Sequence, residues 1–250
     1  MTKETPTADQ HLPTLVSPRT APPPATAAPS PGASRAKAKP PSAAALPNPF
    51  DTFDRAVHPA AGAASDAVRE WTYAAARGLG RGLVLWSEPH TGPGGETFGY
   101  GCGKTHLARA AFTYLRQCVW TDPDTGLSRR WRVTFLNIVD FYAQLRDLYA
   151  KGQPEFPLFN DWASGHVILD DLGKEHVTTD SRPWAREKFY RLIDRIYESR
   201  ALLLTSNLTP EQIETHLGGA AWSRLVGLCG ERGFVNMSAL PDYRLRRAGL

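Results

Sequence analysis

Gly99-Tyr100-Gly101-Cys102-Gly103-Lys104-Thr105-His106 is the stretch on which the reading of this chain turns. It lies between a continuous apolar run, Gly82-Leu83-Val84-Leu85-Trp86, and a helical segment from Lys104 to Gln117. An unbroken apolar run is the pattern of a parallel strand covered on both faces. Strand, glycine-rich turn and helix in that order form the context of a phosphate-binding loop. Gly99, Gly101 and Gly103 let successive backbone N–H groups turn inward around an anion. The following helix points its positive N-terminal end at the same place. Lys104 is then placed to reach the β- and γ-phosphates of ATP, and Thr105 to offer its hydroxyl to Mg2+. Cys102 and His106 complete the expected nucleotide-binding stretch.

The pattern G-x-x-x-x-G-K-[ST] asks for glycine where this chain has Phe98. Between strand and loop lies an apparent insertion, Ser87 to Phe98, containing Gly92, Gly94 and Gly95. Either the extra length relieves the tight turn that otherwise demands the first glycine, or the segment is a tolerated surface excursion.

Working outward, His166-Val-Ile-Leu-Asp170-Asp171 places two carboxylates at the C-terminal end of a second buried strand. Ligands of open α/β sheets bind beyond that end. Asp170 is expected to hold Mg2+ through water, and Asp171 to orient or deprotonate the attacking water, since phosphoryl transfer depends on positioning and charge neutralisation. A pair of helix-capping aspartates is the alternative. Asn207 ends a third strand, Leu202-Leu203-Leu204-Thr205, either to position water near the γ-phosphate or to form a turn. Arg224 and Arg244 are candidate charge stabilisers or ordinary surface arginines.

Twelve of the 21 prolines fall in the first 49 residues, interleaved with Ala, Ser and Thr. Such a segment buries too little apolar surface to offset its ordering entropy, so residues 1–48 read as a disordered tail or a tethered partner-binding arm, with Leu12, Leu15 and Val16 as its short apolar cluster. Residues 49–250 read as the folded domain. Of the net charge of +4, the tail carries +3, which leaves +1 for the rest and excludes a globally basic nucleic-acid binder. No window reaches the roughly 18 apolar residues of a membrane span. The N-terminus lacks an apolar signal region. Three cysteines without a C-x-x-C pair exclude a disulfide scaffold and argue against zinc; a cytoplasmic location is expected.

Further elements follow from periodicity. Helices are expected over 65–78, over 138–149 and from Pro183, with a hairpin pairing Cys118–Trp120 with Trp131–Leu136, and a last strand over 233–238. Strands alternating with helices give an α/β layered domain around a mostly parallel sheet.

The combined motifs resemble the AAA+ ATPases of the bacterial DnaC/DnaI helicase-loader and IstB group. The resemblance runs from about Pro49 to Arg247 and rests on GYGCGKTHLA at 99–108, ILDDLGKE at 168–175, LLTSNLTPEQI at 203–213, WSRL at 222–225 and DYRLR at 242–246. It implies a P-loop NTPase of AAA+ type with five strands, the sensor strand lying between the P-loop and acidic strands. Asn207 then corresponds to the first sensor, Arg224 to the arginine finger acting on a neighbour's nucleotide, and Arg244 to the second sensor. It also implies ATP-dependent homo-oligomers on single-stranded DNA, with a replicative helicase or, alternatively, a transposase as partner. A DNA-contacting element in such ATPases lies near residues 131–151 here, where Arg132, Arg146 and Lys151 are candidates or plain exposed charges. Loaders carry a folded N-terminal helicase-binding domain, where this chain has its Pro/Ala-rich segment. Asp171 is one methylene shorter than the glutamate many such ATPases use, so slow hydrolysis is expected. A nucleotide-gated binding module with little turnover and a small-molecule kinase are the rival classes.

Overall fold

The computed structural model describes residues 48–121, 124–175, 180–197 and 200–248. The tail over 1–48 lies outside these residues except for Asn48. Asn48 caps a short 3-10 helix, Pro49–Thr52. Helix α1 (Pro59–Ala76) begins before the expected residue 65. His58 Nδ1 accepts the Ala60 N–H, and Pro59 takes the first helical position, where a missing N–H costs nothing. Strand β1 (Gly82–Trp86) leads into a hairpin of β2 (His90–Thr91) and β3 (Thr97–Phe98), then α2 (Lys104–Gln117). A second hairpin, β4 (Trp120–Thr121) with β5 (Ser128–Arg129), precedes β6 (Val133–Asn137), α3 (Ile138–Ala150) and α4 (Phe156–Ala163). Then come β7 (His166–Leu172), α5 (Arg182–Ile196), β8 (Leu202–Ser206), α6 (Pro210–Leu217), α7 (Gly219–Cys229), β9 (Phe234–Asn236) and α8 (Tyr243–Ala248).

Five strands form one sheet in the order β6-β7-β8-β1-β9, and every pairing in it is parallel. The P-loop strand β1 and the acidic strand β7 both border β8, as the resemblance implied. The hairpin expected between 118–120 and 131–136 is not formed. Thr121 pairs with Ser128, and Val133–Asn137 instead joins the main sheet beside β7. The reason is burial. Val133 and Phe135 face α2 while Leu136 joins the opposite core, and an isolated two-stranded ribbon would leave one of those faces in water.

Period-2 alternation divides the strands between two cores. Leu83, Leu85, Ile168 and Leu203 pack against the alanine-rich face of α1 and against Leu107, Ala111 and Leu115 of α2. Val84, Val167, Leu169, Leu202 and Leu204 meet α3, α4, α5 and α7 through Phe141, Phe159, Phe189, Leu192 and Leu225. With both faces filled by helices, polar groups of the strands collect at their ends.

One such end, remote from the carboxyl edge, carries His166. It is fully buried; its Nδ1 accepts the Ala201 N–H at 3.0 Å and its ring lies 5.0 Å from that of Trp131. Burial, reinforced by the Arg200 guanidinium, lowers its pKa from 6.5 to about 4. A pKa depressed in the folded state means stability fully present above pH 6.5 and lost as pH falls through about 4. The shift corresponds to about 3 kcal/mol. We therefore expect stability, measured by urea unfolding, to drop between pH 6.5 and 4. The His166→Asn protein, less stable at neutral pH, should show a visibly shallower drop; an equal slope would remove His166 as its source.

Candidate functional site

The carboxyl ends of four strands converge on the start of α2. Pairing registers place Asn137 opposite Asp170 and Trp86 opposite Ser206, so polar residues just at or past these pairs share one edge. Helix α2 is preceded by Gly103 at φ 95°, and no side chain caps its first turn. Its leading N–H groups therefore face the loop, an arrangement that favours an anion. Only glycine fits at 103: the left-handed backbone disfavours a side chain, and an added Cβ would come within 2.5 Å of the Phe53 ring.

Lys104 is 7% exposed. Its ammonium donates to Ser87 Oγ and to the Gly99 carbonyl (3.1 Å), and lies 3.4 Å from Cys102 Sγ. Burial lowers its pKa, opposed by Cys102. Ser87 Oγ also donates to the Gly99 carbonyl at 2.6 Å. The end of β1 and the start of the glycine loop are thus tied together across the insertion. Phe98 stands in β3 with its ring stacked on His90, 5.3 Å away, and takes no place in the phosphate loop itself. The twelve-residue segment closes on itself as a hairpin, which is how the missing glycine is accommodated.

The two aspartates are held by Thr205. Pairing of β7 with β8 slips between Leu169–Leu204 and Leu172–Ser206, which inserts one extra residue into β7. Within that bulge Asp171 has φ 69°, the only left-handed non-glycine among the described residues. Thr205 Oγ1 accepts the Asp171 N–H at 2.9 Å and donates to Asp170 Oδ1 at 2.6 Å. Thr105 Oγ1 donates to the same Asp170 oxygen at 3.0 Å. Burial raises the Asp170 pKa; the Thr205 hydrogen bond counters this, the Asp171 charge adds to it, and Thr105 and Lys174 lower it again. Asp171 Oδ2 pairs with Lys174 Nζ at 2.9 Å and is approached by Asn137 Nδ2 at 3.4 Å.

A cavity of about 220 Å3 is lined by the loop residues Tyr100 to His106 together with Asp171, Lys174, Asn207, Tyr243 and Arg244. Of the residues singled out in the sequence, all of the loop after Gly99, Asp171, Asn207 and Arg244 meet here, with Asp170 attached through Thr105. Arg224 does not. It lies on α7, where its guanidinium donates to Tyr190 Oη (3.0 and 3.1 Å), pairs with Asp194 (2.9 Å) and stacks over the Tyr190 and Tyr197 rings. Arg132 and Lys151 are paired with Asp161 and Asp147, and Arg146 lies over the Trp184 ring. A second cavity, about 240 Å3, shares Cys102, Gly103, His106 and Tyr243 with the first and is walled by Thr52, Phe53, Leu240 and Pro241. His106 Nε2 lies 2.9 Å from Thr52 Oγ1, and burial lowers its pKa.

The residues fit Mg2+. Thr105 and Asp170 bring one hydroxyl and one carboxylate together at the loop, the sparse set of hard oxygen donors this ion uses beside phosphates and water. Among the described residues no three His, Cys, Asp or Glu side chains gather into a metal-binding group.

Sheet order, loop and acidic strand together define a P-loop nucleotide-binding protein of AAA+ architecture. More narrowly, the chain belongs to the family of IstB-like ATP binding proteins, whose sequence model matches residues 97–226. A search of curated proteins gives no match. Among solved structures, the DnaC helicase loader is similar at 20% identity and a TM-score of 0.54, over 75% of this chain and 95% of that one. DnaI is similar at 16% and 0.53, over 77% and 89%. AMPPCP-bound DnaA from Aquifex aeolicus is similar at 19% and 0.55, over 80% of this chain but 55% of that one. At these identities the likeness concerns the fold. Among the described residues no helix is long and apolar enough to cross a membrane.

Ser87, Asn137, Lys174 and Thr205, and the whole second cavity, belong to the site without any local sequence signal that marks them. Thr205 was visible only as part of TSN; nothing local announces that its hydroxyl serves both aspartates. Thr205→Val, nearly isosteric, removes both bonds and leaves the partly buried Asp171 N–H unpaired. It should cost about 2–3 kcal/mol in denaturant unfolding, while Thr205→Ser should recover most of that. A valine variant as stable as wild type would show that the bulge is held by other contacts.

Proposed function

We propose that residues 49–250 form an ATPase that binds ATP with Mg2+, hydrolyses it slowly, and works as a homo-oligomer on single-stranded DNA in the cytoplasm. The carrying observation is the convergence, in one cavity, of the glycine loop and Lys104 with Asp171, Asn207 and Arg244. Lys104 is expected to move from Ser87 and the Gly99 carbonyl to the β- and γ-phosphates. Thr105 and Asp170 would hold the metal, which when bound supplies positive charge against the phosphate oxygens. The second cavity suits the base, with Thr52 and Phe53 on one side and Pro241 and Tyr243 on the other.

Asp171 has the position of a water-orienting carboxylate, and its pairing with Lys174 and its approach by Asn137 favour slow turnover until those contacts shift. Arg224 lines no part of its own chain's phosphate cavity; this supports a role on a neighbour's nucleotide. The DNA-linked task we favour is loading a replicative helicase, following the motif resemblance to the loaders. The IstB-like family model favours a second reading, assistance to a transposase with the same chemistry.

The test is ATP binding and turnover against protein concentration, with and without single-stranded DNA. Lys104→Ala should abolish binding. Wild-type turnover should rise faster than linearly with concentration and respond to DNA. Arg224→Ala should keep binding yet lose turnover by about 10³-fold, the scale of an arginine finger, and Asp171→Asn should also bind without turnover. Binding without turnover in wild type under every condition would replace the ATPase with a nucleotide-gated binding module. Capture by purified replicative helicase or by transposase then decides the partner.

A further inference from the structure

The hairpin β2–β3 does not stand away from the domain. Its outer edge pairs with the chain just before α8: Phe98 and Pro241 form an antiparallel bridge, the Asp242 N–H donates to the Thr97 carbonyl (3.0 Å), and the Gly99 N–H donates to the Leu240 carbonyl (3.0 Å). On either side of this bridge the same segment is fastened to the site. The Glu88 N–H donates to Ser238 Oγ (2.8 Å), the Met237 N–H to the Trp86 carbonyl (2.8 Å) and the Tyr243 N–H to the Gly101 carbonyl (3.3 Å). A Cβ at Gly101 would displace the Asp242 carboxylate, which occupies that space, and Asp242 Oδ1 in turn accepts the Arg244 N–H at 2.8 Å.

Two strands of two residues each do not persist alone in water. This hairpin has a third strand-like partner in Leu240–Asp242 and an aromatic stack of His90 on Phe98. The dependence is mutual, because Leu240–Asp242 has no other strand to pair with in its structural surroundings among the described residues. Leu240, Pro241 and Tyr243 wall the second cavity, while Tyr243 and Arg244 line the phosphate cavity.

We propose that the hairpin inserted into the phosphate-loop approach is a positioning element of the nucleotide site: by pairing with Leu240–Asp242 it fixes one wall of the base cavity and the start of the helix that carries Arg244. The proposal rests on the reading of these cavities as a nucleotide site. Its physical content is preorganisation. A wall already ordered before ligand arrives spares the ligand the cost of ordering it, so the hairpin acts on affinity without touching the ligand. The insertion thereby couples the phosphate loop to the segment before α8 through backbone hydrogen bonds, which depend on the length and register of the hairpin and on the His90–Phe98 stack that holds it together.

The test uses full-length protein in which residues 89–98 are replaced by two glycines, keeping Ser87, Glu88 and Gly99, beside the length-preserving double variant His90→Ala, Phe98→Ala. Hydrogen exchange of the Asp242 and Gly99 amides is followed without nucleotide, and affinity for a fluorescent ATP analogue is measured with Lys104→Ala as the non-binding control. We expect the Asp242 amide of the shortened protein to exchange about tenfold faster or more, and its ATP affinity to fall about tenfold, with the double variant intermediate. Circular dichroism and the melting transition check that the sheet persists; if the shortened protein does not fold, the double variant carries the comparison. Unchanged Asp242 protection, or ATP affinity within about twofold of wild type, overturns the proposal. Wild type that binds no ATP overturns the nucleotide reading instead, and the exchange data then still report on the pairing.

Discussion

Two adjacent carboxylates at the end of a buried strand repel each other and resist desolvation, and the site depends on how Thr205 handles them. Its hydroxyl is used twice, as acceptor from the Asp171 N–H and as donor to Asp170. Both uses require β7 to carry one residue more than β8 over the same length, and the bulge turns Asp171 into the left-handed region. Aspartate tolerates that conformation better than most residues, at a cost of about 1 kcal/mol or more. The two side chains then point to different tasks. Asp170 meets Thr105 at the head of α2, and Asp171 looks toward Lys174 and Asn137. A regular strand would have sent the two aspartates to opposite faces of the sheet.

The rest of the architecture serves this edge. Hydrophobic alternation fills both faces of the sheet, and the parallel direction of all five strands puts their carboxyl ends together. That brings residues between 86 and 207, from four strands far apart in sequence, to one line. What the sheet does not supply is a wall for the cavity beside the loop. This comes from the two flanks of the domain, residues 52–57 before α1 and 240–243 at the start of α8, which meet over Gly103 and His106.

The central strands, the glycine loop and the sheet order were legible because each leaves a strong local trace: an unbroken apolar run, glycines before G-K-T, and carboxylates closing a strand. Helix starts were less legible; α1 begins at Pro59 because a histidine caps it, and histidine is a weak capping signal. Trp131 to Leu136 looked like half of a hairpin since a polar turn precedes it, yet burial on two faces drew Val133–Asn137 into the main sheet. Phe98 looked like a damaged phosphate loop because a linear pattern counts residues along the chain, whereas Ser87 meets Gly99 across a closed hairpin. The same limit hid the second cavity, whose walls at Thr52 and Pro241 are nearly two hundred residues apart in sequence. The tail expected over 1–48 lies, apart from Asn48, outside the described residues.

Arg224 shows how a side chain outside the cavity belongs to the proposed mechanism. Its guanidinium is oriented by Tyr190, Tyr197 and Asp194, all on or just after α5, and so is presented from a packed pair of helices, not from a loose chain. The ion pair with Asp194 is partly exposed on both sides, at 35% and 48%, and pairs of that kind bind weakly in water. In the proposed assembly, exchanging Asp194 for a phosphate on an adjacent subunit would therefore give up little. It would gain a bidentate, charge-assisted contact in a drier place. An arginine housed permanently in its own cavity would help hydrolysis in every isolated chain. One held on the opposite helices, by a partner it can leave, would make hydrolysis conditional on a neighbour, as the proposed assembly requires.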